Sequence, residues 1–240
     1  MKNRHPIQLS IVIPGFDEEQ NINHIEKTLF PQINQINDRI EIIFVNDGSK
    51  DKTEEKIKSA AKKHKNLKLV NHEKNYGLGA ALKTGLKNSS GTYICFLDAD
   101  LSFDPQDILK MYSMIKQTNA DCVIGSCFIK KRDTKNVAQD RLFLSKSINK
   151  FYAFLMKSKL TSFTPIFRIY KRQELQKINL ESNGFEINTE ILVKFIKKRK
   201  KIVEMPVELK ARKYGKSKLN LSKEIQNHLK LIYKIIFQWQ

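Results

Sequence analysis

Two carboxylates one residue apart, Asp98 and Asp100 in the stretch TYICFLDADLSFDP (92–105), are the side chains whose type and spacing point most directly to chemistry. They follow a short apolar run, Tyr93 to Leu97, bounded by Gly91 and by polar turn residues, which reads as a buried strand. Side chains alternate along an extended chain, so a spacing of two turns both acids to one side at the strand's carboxyl end. Like charges that close repel unless one is protonated or a cation lies between them. A hard divalent ion that takes one or two carboxylates, and completes its shell with water and phosphate oxygens, meets that requirement. The alternative is a loop whose acids merely cap the next helix, because Asp104-Pro105 is a helix start by itself.

The acids need elements to position them. Leu9 to Ile13 is a β-rich run stopped by Pro14-Gly15, and PGFDEEQN then opens a helical pattern of Ile22, Ile25, Leu29, Ile33 and Ile36. Ile40 to Asn46 is a second strand, closed by Asp47-Gly48-Ser49 and followed by a helix to about Lys63. Leu67 to Val70 is a third, after which Gly77 and Gly79 turn tightly into a helix carrying Ala80, Ala81, Leu82 and Leu86. Beyond the central strand come a helix from Pro105 to about Thr118 and a fifth strand from Asp121 to Gly125. Strands alternating with helices across short loops predict an α/β fold, a mostly parallel sheet flanked by helices. In such sheets ligands bind at the strands' carboxyl edge.

After Ser126 the alternation stops. The pattern predicts an amphipathic helix over 138–156, a strand over Ile166 to Tyr170, a helix from Thr189 to about Lys198 and a strand over Ile202 to Leu209. A last amphipathic helix, Ser222 to Gln240, carries Leu229, Ile232, Tyr233, Ile236 and Phe237. Docking of that face on the protein's own core is the expectation, membrane contact the alternative.

With 44 basic and 25 acidic residues the chain has a net charge of +19, a balance that favours a polyanionic partner: nucleic acid, an anionic membrane surface or phosphorylated substrates. The basic residues lack interleaved aromatics and no nucleic-acid motif is present, which argues against nucleic acid. KKRKK (197–201) reads as a solvated helix end. Cys95, Cys122 and Cys127 lack metal-ligand spacing and read as small core residues of a reducing compartment. No apolar stretch approaches the roughly 18 residues of a membrane span, and MKNRHPIQLS has no signal-peptide core. The expected setting is cytoplasmic, with peripheral contact to the cytosolic face of a membrane.

Two phosphate-binding readings fail. The first loop carries Asp17, Glu18 and Glu19, which would repel a pyrophosphate, and Gly77-Leu78-Gly79 is followed by Leu82 where a dinucleotide motif needs its third glycine. Gly215-Lys216-Ser217 hints at a phosphate loop, but Lys210 stands where that motif requires its first glycine. What remains is a sheet edge bearing Glu18, Asp47, Asp98 and Asp100, with cations elsewhere: Lys130, Lys131 and Arg132, then Arg212, Lys213, Lys216 and Lys218. A metal between carboxylates and phosphates, with cations closing from the far side, makes a nucleoside diphosphate a good leaving group.

IVIPGFDEEQNI, EIIFVNDGSKDKT, NYGLGAALKTGL and FLDADLSFDP, in that order and at these intervals, resemble the family 2 inverting glycosyltransferases with the Rossmann-like GT-A fold. GFEINTEIL and MPVELKARKYGKSKLN are similar to the branch that moves a sugar from GDP-mannose or UDP-glucose to a polyprenyl phosphate, the dolichol-phosphate mannose synthase type. The resemblance implies a nucleotide-sugar half over about 7–126 and an acceptor half over about 127–221 of a single domain 1–221, followed by the basic amphipathic helix 222–240. It implies Mg2+ or Mn2+ held at Asp98 and Asp100, with Ser102 where some members carry a Gln ligand. Pro14, Phe16 and Glu18 match the loop that holds the nucleoside, Val45 and Asp47 the contacts to base and ribose, and Asp98, Ala99 and Asp100 the metal and diphosphate motif. Arg212 and Lys218 match a phosphate-gripping basic motif, and Arg168 survives from a substrate-binding segment that here reads SFTPIFR. The chain departs from the family at Cys127, where many members place a phosphate-binding Arg.

The implied reaction is a single in-line displacement, with Asp100 and Arg212 assisting departure of the diphosphate. A phosphate monoester acceptor is mostly dianionic at neutral pH and needs no general base. A saccharide or small acceptor would need one, for which Glu186 and Glu190 are the candidates. A non-catalytic nucleotide-sugar-binding relative is the remaining alternative, and a separate membrane subunit is left open as a partner.

Overall fold

The computed structural model describes residues 6–129, 139–215 and 220–239. In chain order the elements are β1 (Leu9–Gly15), α1 (Glu19–Ile33), β2 (Ile40–Asn46), α2 (Thr53–Lys63), β3 (Leu67–Asn71), α3 (Leu78–Asn88), β4 (Tyr93–Phe96), α4 (Gln106–Thr118) and β5 (Cys122–Ser126). Then follow α5 (Gln139–Leu155), β6 (Arg168–Lys171), α6 (Arg172–Gln176), α7 (Ile187–Lys197), β7 (Ile202–Pro206) and α8 (Leu221–Phe237). The first five strands lie within two residues of their predicted bounds at either end. The short α6 carries too few residues to show a helical period and has no counterpart in the sequence reading. β7 stops at Pro206, three residues before the predicted Leu209, where its partner β5 also ends, at Ser126.

All seven strands form one sheet in the order β3-β2-β1-β4-β6-β5-β7. β2 and β3 are laid down on one side of β1 and β4 on the other, so the order reverses between β1 and β4. That reversal opens a crevice above the carboxyl ends of both strands. β6 is the exception to parallel order, running antiparallel to both β4 and β5.

Helices cover both faces of the sheet, so the central strands are mostly apolar, as buried parallel strands are. In β1, Leu9, Ile11 and Ile13 enter one core with residues of α1, α2 and α4, whereas Val12 enters the other with residues of α3, α7 and α8. Glu41 of β2 is 2% exposed, and its oxygens accept from Ser10 Oγ (2.7 Å), Ser90 N (2.7 Å) and Lys68 Nζ (2.6 Å). Burial by itself would raise this carboxyl, but the hydrogen bonds from Lys68, Ser10 and Ser90 together outweigh it and hold it below its ordinary value of 4.5. The unfolded chain therefore takes up this proton at higher pH, so the group's stabilising contribution is complete above about pH 5 and is lost as pH falls through its folded value. Glu41→Gln is expected to flatten the acid limb of the unfolding free energy measured in urea between about pH 5 and 3. An unchanged slope would remove Glu41 from the acid response.

α8 docks through a different face from the one expected. Leu231 and Ile235 are buried and Ile232 packs beside them, while Leu229, Tyr233, Ile236 and Phe237 face outward. The charge run 197–201 is also tied into the fold: Lys197 donates to the carbonyls of Ile235 and Trp239, Lys200 pairs with Glu174, and Lys201 donates to the carbonyl of Thr118.

Candidate active site

The crevice at the reversal is a cleft of about 650 Å3, within the range of sites that take small-molecule ligands. Its floor is made at the carboxyl ends of three strands: Pro14 at the end of β1 with Phe16 and Glu18 after it, Asp47 after β2, and Asp98, Ala99 and Asp100 after β4. Arg212 lines it from beyond β7, and the segment 181–186 and α8 form the opposite wall. The β1 and β2 loops are laced together. Asp17, at a φ of 51°, accepts from Lys50 N and donates its own N–H to Ser49 Oγ, and Glu18 N–H donates to Thr53 Oγ1. A non-glycine residue in the left-handed region carries strain that such surroundings must hold.

Asp100 is 6% exposed, and both its oxygens have partners. Its Oδ1 accepts from Ser102 N (2.9 Å) and Ser102 Oγ (2.6 Å), and its Oδ2 meets Arg212 Nε at 2.7 Å. Ser102, matched by resemblance to a metal ligand, here uses its hydroxyl to orient Asp100. Leu101 between them also adopts a positive φ, 50°, with its N–H donating to the carbonyl of Asp98. Arg212 arrives because the chain after β7 rejoins the loop after β4: Phe103 and Leu209 form an antiparallel bridge, and Lys210 N–H donates to the carbonyl of Ser102 at 2.8 Å.

Asp98 is the electrostatically strained member. Burial, then the neighbouring Asp100 and Glu18, push its carboxyl well above the usual range, and Arg212 opposes them. A second cation would relieve that crowding. The donors are hard oxygens, which suit Mg2+ or Mn2+. Among the described residues no three His, Cys, Asp or Glu side chains form a ready cage, so the set fits an ion held at Asp98 and Asp100 that completes its shell with phosphate and water.

Asp47 has a structural task as well as a place on the cleft. Its Oδ1 accepts from His72 Nδ1 (2.6 Å) and Tyr76 N (3.0 Å), and its Oδ2 from Gly77 N (2.8 Å). It thereby fixes the turn that starts α3. Gly79 N–H donates to the carbonyl of Asn183 at 2.7 Å, and a Cβ on Gly79 would come within 2.6 Å of Ser182 O. A Cβ on Gly77 would come within 2.4 Å of Asn183 O. These two glycines let the segment 181–184 cross the start of α3 at contact distance.

Several matched residues lie away from the cleft. Val45 is fully buried beneath it, packed with Ala81 and Leu82, so any contact to a base falls to its neighbours. Arg168 corrects the substrate-binding expectation: it is fully buried, donating Nη1 to Asn188 O (2.5 Å) and Nη2 to Phe163 O (2.6 Å). β6 turns this guanidinium toward the backbone at the start of α7. Lys218, with Lys130, Lys131, Arg132 and Lys216, lies outside the described residues. Cys127 is 8% exposed, and burial pushes its thiol up to about 11, so it is neutral. Of the two candidate bases, Glu190 is fully buried and accepts from Glu181 N, Ser182 N and Lys194 Nζ, whereas Glu186 lines the cleft. Tyr76, Asn183, Glu224 and Asn227 also line the cleft. Tyr76 belongs to the NYGLGAALKTGL segment, but no motif marks Asn183, Glu224 and Asn227, which reach the cleft only when remote segments meet.

Comparison with known proteins agrees with this architecture. Residues 10–178 match the family described as Glycosyl transferase family 2. A dolichol-phosphate mannosyltransferase of Pyrococcus furiosus is 29% identical over 236 residues, covering 98% of this chain and 65% of its own length, so this chain spans slightly under two thirds of that relative. An uncharacterised protein of Methanocaldococcus jannaschii is 30% identical over 242 residues, covering 94% of this chain and 98% of its own. Among solved structures, glucosyl-3-phosphoglycerate synthase from Mycobacterium tuberculosis in complex with Mn2+ and UDP-glucose superposes with a TM-score of 0.72 at 16% identity, over 95% of this chain and 78% of that one. The family match, the mostly parallel seven-stranded sheet and the acidic carboxyl edge agree: the chain belongs to glycosyltransferase family 2, with the GT-A fold.

Proposed function

We propose that this glycosyltransferase moves a hexose from a nucleoside-diphosphate sugar of the GDP-mannose or UDP-glucose type to a polyprenyl phosphate at a membrane surface, with Mg2+ or Mn2+ at Asp98 and Asp100. The observation that carries the reading is the convergence of Asp98, Asp100 and Arg212 at the carboxyl edge, in a cleft large enough for a nucleotide sugar. When bound, the metal supplies charge neutralisation on the departing diphosphate. Asp100 and Ser102 hold Arg212 in place for the same charge. Pro14, Phe16, Glu18 and Asp47 bound the end of the cleft available to the nucleoside.

A lipid acceptor is supported by two outward apolar rows. α5 exposes Phe143 and Phe154 at 75% and 84%, and α8 exposes Ile225, Leu229, Tyr233 and Phe237. α8 also forms a wall of the cleft, so the surface that would meet lipid adjoins the site that would meet its phosphate. Each Lys or Arg near an anionic bilayer contributes about 1 kcal/mol, and the net charge is +19. Among the described residues no helix is long and apolar enough to cross a membrane. The Pyrococcus relative bears the name of a dolichol-phosphate mannosyltransferase, which favours the same acceptor. Glu186 on the cleft keeps a saccharide acceptor as the second reading.

Thermal melts with GDP, UDP, CDP and dTDP, each with and without Mn2+, test the donor half. A ligand at 100 times its dissociation constant is expected to stabilise by about 2.7 kcal/mol, a rise of roughly 5–10 °C for a chain this size. A metal-dependent rise with one nucleotide supports the reading, and transfer of labelled sugar into dolichyl phosphate in anionic vesicles tests the acceptor half. No rise with any nucleotide would overturn it, and product confined to the aqueous phase would favour a saccharide acceptor.

A further inference from the structure

The wall opposite Asp98 and Asp100 contains two buried carboxylates that the proposed chemistry leaves unused. Glu186, just before α7, is 7% exposed, and Glu224, in the first turn of α8, is 9% exposed. Both line the cleft, and each has one oxygen, Oε2, buried without a hydrogen-bond partner among the described residues. A buried acceptor left unmatched is destabilising, so two on one wall mark a place where donors arrive from a ligand.

The surroundings identify the kind of donor. Glu186 Oε1 accepts from Gly184 N at 3.2 Å. A Cβ on Gly184 would stand 2.4 Å from Glu186 Oε2 and 2.7 Å from Asn227 Nδ2, so a carboxylate oxygen and an amide nitrogen converge where any side chain at 184 would intrude. Burial and the facing Glu186 push the Glu224 carboxyl up, while the Phe185 backbone and Lys223 pull it down. The other titratable groups facing the pair are His228, whose Nδ1 lies 2.8 Å from Tyr152 Oη, and Tyr152 itself. The wall thus offers carboxylate acceptors beside an amide donor. A hydroxyl group, which donates and accepts at once, satisfies both. A phosphate is acceptor-only when ionised and would be repelled by two carboxyls.

We propose that Glu224 and Asn227 of α8, with Glu186, read the hydroxyl groups of the donor hexose, making the C-terminal helix a specificity-determining part of the active site. This rests on the donor reading above and assigns to α8 a function separate from any contact with lipid. It accounts for the glycine at 184 and for the two orphaned oxygens together. A site that hydrogen-bonds a hydroxyl rejects an analogue lacking it far more strongly than an apolar site rejects a missing methylene, so these residues would select between epimeric sugars.

The test compares each nucleotide with its sugar conjugate by calorimetry in the presence of Mn2+: GDP against GDP-mannose, and UDP against UDP-glucose. The Glu224→Gln and Asn227→Ala variants are expected to bind the free diphosphate as the wild type does and to bind the sugar conjugate about 10-fold more weakly. Gly184→Ala, which crowds Glu186 and Asn227 without removing either, is expected to act in the same direction. Equal losses for diphosphate and conjugate, or no loss for either in variants that melt cooperatively, would overturn the assignment. Wild-type protein that binds no nucleotide at all would overturn the donor reading itself, a result distinct from selective failure of the variants.

Discussion

Replacement of Asp100 by Asn is expected to lower kcat/KM for sugar transfer by about 10³-fold, a loss of the size seen when one preorganised group stabilising the transition state is removed. The side chain serves two partners at once. Its Oδ2 holds Arg212 Nε at 2.7 Å, and its Oδ1 takes both donors of Ser102. An amide in its place keeps the shape, removes the charge, and turns an N–H2 group toward donors that already point at it. Arg212, 31% exposed, is left to find water. Affinity for a divalent ion at Asp98 falls too, because an ionised carboxylate is the harder and stronger ligand. The core around β4 is untouched, so circular dichroism should be unchanged and the melting temperature should fall by only a few degrees. Loss of the Mn2+-dependent nucleotide shift should accompany loss of transfer. Full activity in this variant would defeat the assignment of the metal to Asp98 and Asp100.

Arg168→Ala is expected to act in the opposite way, severely on stability. The guanidinium is fully enclosed, with Nη1 on the carbonyl of Asn188 and Nη2 on that of Phe163. Removing it takes a charged donor from each of two carbonyls, worth about 1.5–3 kcal/mol per bond, with Phe163 O keeping only Thr189 Oγ1 at 3.3 Å, and leaves a cavity that adds to the loss. A total of about 5 kcal/mol corresponds to a fall in melting temperature of about 10 °C or more for a chain of this length. Arg168→Lys should be milder, since one ammonium keeps a donor but cannot span both carbonyls with a planar fork. In that variant the nucleotide shift should persist at a lowered melting temperature. A stable Arg168→Lys protein that had lost nucleotide binding would return Arg168 to the substrate-binding role expected from the SFTPIFR segment.

The contrast between these two residues separates what was legible from what was not. Asp98 and Asp100 could be read as a pair because they follow an apolar run at a spacing of two; the strand itself ends at Phe96, and it is the turn closed by Leu101 N–H on the carbonyl of Asp98 that holds them together. The first five strands and their helices were legible for a related reason. Short loops and apolar runs are local signals, and the parallel order with its crevice between β1 and β4 follows from packing helices on both faces. Arg168 carried a misleading signal, since a lone basic residue in a family-like segment says nothing about the direction in which an antiparallel strand will turn it. Val45 still lies within β2 and faces the core, whereas Asp47 lies past the strand's end, where the chain has left the alternation, and reaches the cleft.

α8 shows the limit most clearly. Its amphipathic character was evident, yet Leu229, Tyr233, Ile236 and Phe237 face outward while Leu231 and Ile235 dock. A helix with apolar residues over most of its girth does not specify which stripe meets the core; the partner surface of α5 and α7 makes that choice. Glu186 and Glu224 are 38 positions apart in the chain, and no spacing rule could have placed their unpaired oxygens on one wall. The sequence by itself determined the family, the acidic carboxyl edge and the order of the nucleotide-binding half, because those depend on local periodicity and short motifs. Tertiary structure alone decided which basic residue reaches Asp100, which carboxylates line the cleft and which helix closes it, because those contacts join segments whose meeting depends on the packing of the whole sheet.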